Sequence, residues 1–161
     1  MEEKTNEQMN EVLAMFYFAY KTFTEEPDIM IEEYGIQRVH HRILFFIARF
    51  PGLSVNELLS LLEVSKQALH RPMKTLIEKE LVTTSEAEHD RRVKQLFLTD
   101  KGKHLEEKLS NTQKHHLTSI FQELKPEQVD AWQTIMEKLS VERDGFEAWK
   151  NKLKNEPDNS K

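Results

Sequence analysis

Two short stretches hold the side chains whose types and spacing suit chemistry with nucleic acid. In Lys66-Gln67-Ala68-Leu69-His70-Arg71-Pro72-Met73-Lys74, a helical advance of about 100° per residue puts Lys66, Gln67, His70, Arg71 and Lys74 within an arc of about 140°. Ala68, Leu69, Pro72, Met73 and Leu76 fall on the other side. A cationic, amide-bearing face suits the major groove of DNA: Arg and Lys reach guanine O6/N7 or phosphate, and Gln pairs with adenine N6/N7. Ser65, with the helix N-terminus, can hold a phosphate. The second stretch is His89-Asp90-Arg91-Arg92. An arginine there can enter a narrow minor groove while Asp90 orients one guanidinium by a bidentate pair, and Lys94 can meet phosphate. Both stretches have a plainer reading. The first is a solvated basic face, with His70 a solvent-facing or phosphate-adjacent side chain. The second is a turn in which Glu86, Glu88 and Asp90 cancel the cations.

The elements that position these residues follow from pattern. Residues 12–23 (VLAMFYFAYKTF) are apolar or aromatic almost all the way round, which a helix tolerates only with more than one face covered. Glu25-Glu26-Pro27 is expected to stop that helix, and Gly35 to mark entry to a second over 37–50, ended by Pro51-Gly52. Ser54-Val55-Asn56-Glu57 has the reciprocal capping spacing and opens a third, short helix. Ser65 caps a fourth reaching about Lys79. Two short helices so closely joined form a helix-turn-helix candidate. Pro72 lies inside the fourth and loses the bond to the Ala68 carbonyl, so a kink is expected.

Residues 81–85 and 93–98 have strand composition around a polar loop and read as a small hairpin, or wing. Thr99 caps a long helix, and Pro126 starts another whose apolar positions recur to Leu153. The expected fold is mainly α with a small β-hairpin wing. Residues 1–35 form an N-terminal dimerisation helix and linker, 36–100 a winged helix-turn-helix, 101–155 C-terminal dimerisation helices, and 156–161 a disordered tail. The terminal helices carry more apolar stripe than one small winged domain can cover, which argues for a homodimer built from both chain ends. A helical cap folded back on a monomer is the other reading.

Composition narrows the function. The 161 residues fit one domain with helical extensions, at 38% apolar and 32% charged. Only 4 glycines and 5 prolines leave little room for Gly-rich phosphate loops, and the lack of cysteine excludes thiol chemistry. Neither a nucleophile elbow of the form Gly-x-Ser-x-Gly nor His-Glu-x-x-His occurs, so an enzyme is not expected. No apolar run nears the roughly 20 residues of a membrane span, and the N-terminus has no basic n-region, so the chain reads as cytoplasmic. The net charge of −5 hides an uneven distribution, with acid at 2–11 and 25–33 and cations at 36–50 and 65–76.

Pro51-Gly52-Leu53-Ser54-Val55-Asn56-Glu57-Leu58, Val64-Ser65-Lys66-Gln67-Ala68, Asp90-Arg91-Arg92 and Leu98-Thr99-Asp100-Lys101-Gly102 resemble, in order and spacing, the MarR family of bacterial transcriptional regulators. The resemblance covers residues 36–109. It implies a winged-helix homodimer that binds pseudo-palindromic double-stranded DNA and usually represses transcription. Ser65, Lys66, Gln67, His70, Arg71 and Lys74 would then occupy recognition-helix positions, and Asp90, Arg91 and Arg92 the wing, with Arg92 the minor-groove arginine. Pro72 departs from the common pattern. A winged-helix module whose basic face docks an acidic protein is the rival reading.

The resemblance also implies relief by a small aromatic or anionic ligand between the lobes. Phe16, Tyr20, His41 and Phe45 are the candidate lining residues, unless they are simply core aromatics of the dimer lobe. No cofactor or metal is expected. The adjacent pairs His40-His41 and His115-His116 point in different directions on a helix, and no His-x-x-x-His occurs.

Overall fold

A computed structural model describes residues 4–155, so the expected tail over 156–161 lies outside the described residues. The elements are α1 (Asn6–Glu32), α2 (Arg38–Arg49), β1 (Leu53–Ser54), α3 (Val55–Leu62) and α4 (Lys66–Glu78). They continue with β2 (Val82–Glu86), β3 (Lys94–Leu98), α5 (Asp100–Gln122), α6 (Pro126–Ser140) and α7 (Asp144–Asn155). Among the described residues no helix is long and apolar enough to cross a membrane.

Local chemistry sets most boundaries. The Ser54 hydroxyl accepts from the Glu57 backbone N–H at 3.2 Å, while the Ser54 N–H donates to Glu57 Oε2 at 2.7 Å; this reciprocal cap starts α3. Ser65 Oγ accepts from the Ala68 N–H at 3.1 Å and starts α4. Thr99 Oγ1 accepts from the Gly102 N–H at 3.0 Å and starts α5.

Pro27 does not stop α1, which continues to Glu32. The proline frees the Phe23 carbonyl four residues back, and Gln113 Nε2 of α5 donates to that carbonyl at 3.3 Å. The chain turns instead at Gly35, whose φ of +61° lets its N–H reach the Glu32 carbonyl and the Ile36 N–H reach the Ile31 carbonyl. The helix expected from Pro126 past Leu153 is two helices, broken after Ser140.

The hairpin is part of a three-stranded antiparallel sheet of order β1-β3-β2. Leu53 pairs with Leu96 and Ser54 with Gln95, while Val82 through Glu86 pair with Leu98 through Lys94. The short strand β1 was not expected. It ties the base of the wing to the residues that open α3.

The core lies between α2, α3, α4, α5 and the sheet. Ile43, Leu44, Ile47, Leu58, Leu76, Leu81, Leu105 and Leu109 are fully buried, each worth about 1.5–3 kcal/mol of apolar burial. A polar lock joins α2 to α5. Arg49 donates from Nη1 to Glu106 Oε2 at 3.1 Å and from Nη2 to Ser110 Oγ at 3.0 Å, and Ser110 Oγ donates to Glu106 Oε1. Glu106 is only 3% exposed, so pairing and the second hydrogen bond are what make its burial tolerable.

Candidate nucleic-acid interface

Burial on α4 separates its two faces. Leu69, Met73 and Leu76 are in the core, while Lys66, Gln67, His70, Arg71 and Lys74 are exposed. Ala68, expected on the apolar side, is exposed as well, and Pro72 is half-buried. The helix is continuous across Pro72. Leu69 and Met73, both buried, anchor it before and after the proline.

Among the described residues, Lys66, Arg71 and Arg91 have no carboxylate partner, whereas Lys74 lies 3.7 Å from Glu78 and Lys94 lies 3.3 Å from Glu86. Ser65, at the N-terminus of α4, is exposed. The α4 face therefore offers two unpaired cations, an amide and an imidazole on one side of a rigidly seated helix.

At the wing, Val93 N–H closes the turn onto the Asp90 carbonyl at 2.9 Å, and Ala87 N–H meets the Val93 carbonyl at 3.0 Å. Asp90 accepts from Arg92 Nε and Nη2, each at 3.1 Å, and from the Arg92 backbone N–H at 3.0 Å. These bonds from Arg92 hold the Asp90 carboxyl below its ordinary pKa. The Arg92 side chain is 91% exposed. It is aimed by its neighbour and free to meet a ligand.

The four candidate ligand-lining residues have different surroundings. Phe16 lies on an exposed face of α1. The Tyr20 hydroxyl receives Arg42 Nη2 at 3.2 Å and Arg38 Nη1 at 3.4 Å, and Arg38 also donates to Asp28, with Nε 2.9 Å from Oδ1. His41 is half-buried; burial lowers its pKa, opposed by Glu106 and Asp28. Phe45 instead stacks on Trp149 of α7 at 5.9 Å and lies under the Arg49 guanidinium. Among the described residues, no cluster of three or more His, Asp or Glu residues is arranged to hold a metal.

The sequence model of the MarR family matches residues 34–93. The HTH-type transcriptional regulator PetP of Rhodobacter capsulatus is 36% identical over 135 residues, which span 84% of this chain and 81% of PetP. The chain belongs to the MarR family. It is thus a transcriptional regulator of the winged helix-turn-helix type and not an enzyme.

Solved MarR-type folds superpose well. Streptococcus pneumoniae FabT in complex with DNA aligns at a TM-score of 0.73 and 18% identity, over 84% of this chain and 94% of FabT. Staphylococcus aureus MepR in complex with DNA aligns at 0.64 and 18%, over 85% of this chain and 97% of MepR.

Two features of the regulator escaped sequence reasoning. The Arg49–Glu106–Ser110 lock left a faint trace, since Glu106 and Ser110 fall among the buried positions Gly102, Leu105 and Leu109 of α5. The docking of α7 on α3 left less, because the apolar spacing of α7 continues that of α6.

Proposed function

We propose that this MarR-family regulator is a homodimeric, sequence-specific repressor of transcription that binds a pseudo-palindromic double-stranded operator. The recognition helix α4 lies in the major groove, with Lys66, Gln67, His70, Arg71 and Lys74 toward bases and phosphates and Ser65 at a phosphate. The wing brings Arg92, aligned by Asp90, to the minor groove, with Arg91 and Lys94 on the backbone. The observation that carries this reading is the exposed cationic face of α4, held outward by buried Leu69, Met73 and Leu76. FabT and MepR, with which the fold is shared, are each described bound to DNA. A cytoplasmic location follows from such a partner.

Homodimer formation is supported by two uncovered apolar faces. Met9, Leu13, Phe16 and Tyr20 recur on α1 at a spacing of four, three and four residues, which makes a helix-pairing seam. Ile120 of α5, Leu124 in the turn that follows it, and Trp132, Ile135, Met136 and Leu139 of α6 are also exposed. Surfaces of this kind mark association sites. Relief by a small aromatic or anionic ligand belongs to the same reading, with Arg38 and Arg42 converging on Tyr20 as its point of entry.

Binding-site selection from random duplexes by the purified full-length chain, followed by footprinting at two salt concentrations, tests the proposal. The expected result is an enriched pseudo-palindrome with half-sites about one helical turn apart. Affinity should fall steeply with salt as phosphate contacts release counterions. Enrichment of no sequence, in protein shown to be folded, would overturn it.

A further inference from the structure

We infer that α7 is a positioning element for the recognition helix, clamping α3 at both ends so that α4 is presented at a fixed angle. This rests on the DNA-binding reading above. The first helix of a helix-turn-helix sets the second: α3 and α4 are joined by residues 63–65 only and share one core through Leu58, Leu61, Leu69 and Leu76. Whatever holds α3 therefore holds α4.

Three contacts along α7 do so. Immediately before its first residue, Arg143 donates from Nε to Glu63 Oε2 at 2.9 Å, with Nη2 at 2.8 Å. Glu63 is the residue that ends α3, at a φ of +53°. Two residues on, Gly145 is buried so close to α3 that a Cβ there would lie 2.6 Å from the Leu61 carbonyl oxygen. Near its end, Lys152 Nζ donates to Glu57 Oε1 at 2.7 Å, at the opposite end of α3. Burial opposes ionisation of Glu57, but the bonds from Lys152 and Ser54 outweigh it and hold the carboxyl below its ordinary pKa.

Between the two ion pairs, Trp149 packs against Phe45 and Phe46 of α2 and Phe50 at its C-terminal cap, with ring centroids 5.9, 5.9 and 5.1 Å away. Exposed ion pairs alone would hold little. The indole supplies the apolar anchor, and the two pairs fix where along α3 the helix sits. Because α7 follows directly on α6, whose apolar face is uncovered, the clamp links the end of the helical lobe to the helix-turn-helix.

The test uses the full-length chain and the duplex selected by wild type, with a random duplex as control. Arg143→Glu should weaken binding to the selected duplex by about fivefold, and Trp149→Ala by about tenfold or more. The swap Glu63→Arg with Arg143→Glu should return affinity to within about twofold of wild type, as a coupled pair requires. Hydrogen exchange of the backbone over 55–70, measured without DNA, should quicken in Arg143→Glu and recover in the swap. Unchanged affinity in Arg143→Glu, with or without altered exchange, overturns the inference, and so does a swap that fails to rescue. If Trp149→Ala does not fold, the Arg143 variants still decide. Failure of wild type to select any duplex sinks the DNA reading instead, and the exchange data would then report the α7 contact separately.

Discussion

The carbonyl oxygen of Leu81 occupies the space that a side chain on Gly102 would need: an ideal Cβ there would lie 2.0 Å from it. Leu81 is fully buried, and its carbonyl also accepts from the Thr99 N–H at 3.1 Å. The start of α5 is thereby pressed against the residue that leads into the wing. In an ordinary helix, glycine to alanine stabilises by about 0.5–1 kcal/mol. Here backbone must move, and overpacking costs about 1–3 kcal/mol. Gly102→Ala should therefore lower Tm by several degrees. A calorimetric Tm at or above that of wild type would show that the contact is slack.

The wing makes a different prediction because its central pair is exposed. The Asp90–Arg92 pair contributes close to nothing to stability, so Arg92→Ala and Asp90→Asn should melt with wild type. In fluorescence anisotropy with the selected operator, Arg92→Ala should cost about 1–3 kcal/mol, roughly 5- to 150-fold in Kd. Asp90→Asn should cost less, since the arginine survives but is no longer aimed. Arg92→Ala binding as tightly as wild type would remove the wing from the interface.

The helix-turn-helix and wing were legible because their signals are local. Ser54 and Ser65 cap within four residues, and α4 declares its two faces through Leu69, Met73 and Leu76 against Lys66 and Arg71. What could not be read depends on distant partners. Pro27 looks like a helix stop until Gln113, far along the chain, is seen to satisfy the Phe23 carbonyl. The two residues of β1 are too few for a strand pattern and exist because β3 pairs with them. The break after Ser140 sends Trp149 to a cluster on α2 that spacing alone cannot indicate. Phe45, one of the ligand candidates, stacks on Trp149 in that same cluster.

Two adjacent histidines make stability depend on pH. His40 is buried, and its Nδ1 accepts from the Gln37 N–H at 2.9 Å. Burial lowers its pKa, as Lys79 does; burial likewise dominates at His41. Below an ordinary value of about 6.5 the unfolded chain binds protons that the folded chain resists, so stability rises with pH in this window. It is fully present above pH 6.5 and lost as pH falls through the lowered folded values. Urea midpoints should therefore fall between pH 7.5 and 5, and His40→Gln, which keeps an acceptor at the third helical position, should flatten the slope. A midpoint that does not change over this range would contradict the assignment.

The seam on α1 yields the prediction with the widest consequence. Leu13 is 67% exposed and Phe16 is 60% exposed, and covering two such side chains contributes about 1.5–3 kcal/mol each. A charge placed there has to be desolvated for two copies to meet. Phe16→Glu should convert a dimer of the 19.1 kDa chain to monomer in light scattering, with a lower and less concentration-dependent Tm. Each monomer would keep its α4 face and wing, so binding to a single half-site should persist while affinity for the full operator collapses toward it, because the second half-site is no longer tethered. A Phe16→Glu chain that stays dimeric would move the interface to the exposed face of α6. A wild type that is monomeric at micromolar concentration would remove the dimer, and the paired half-sites with it.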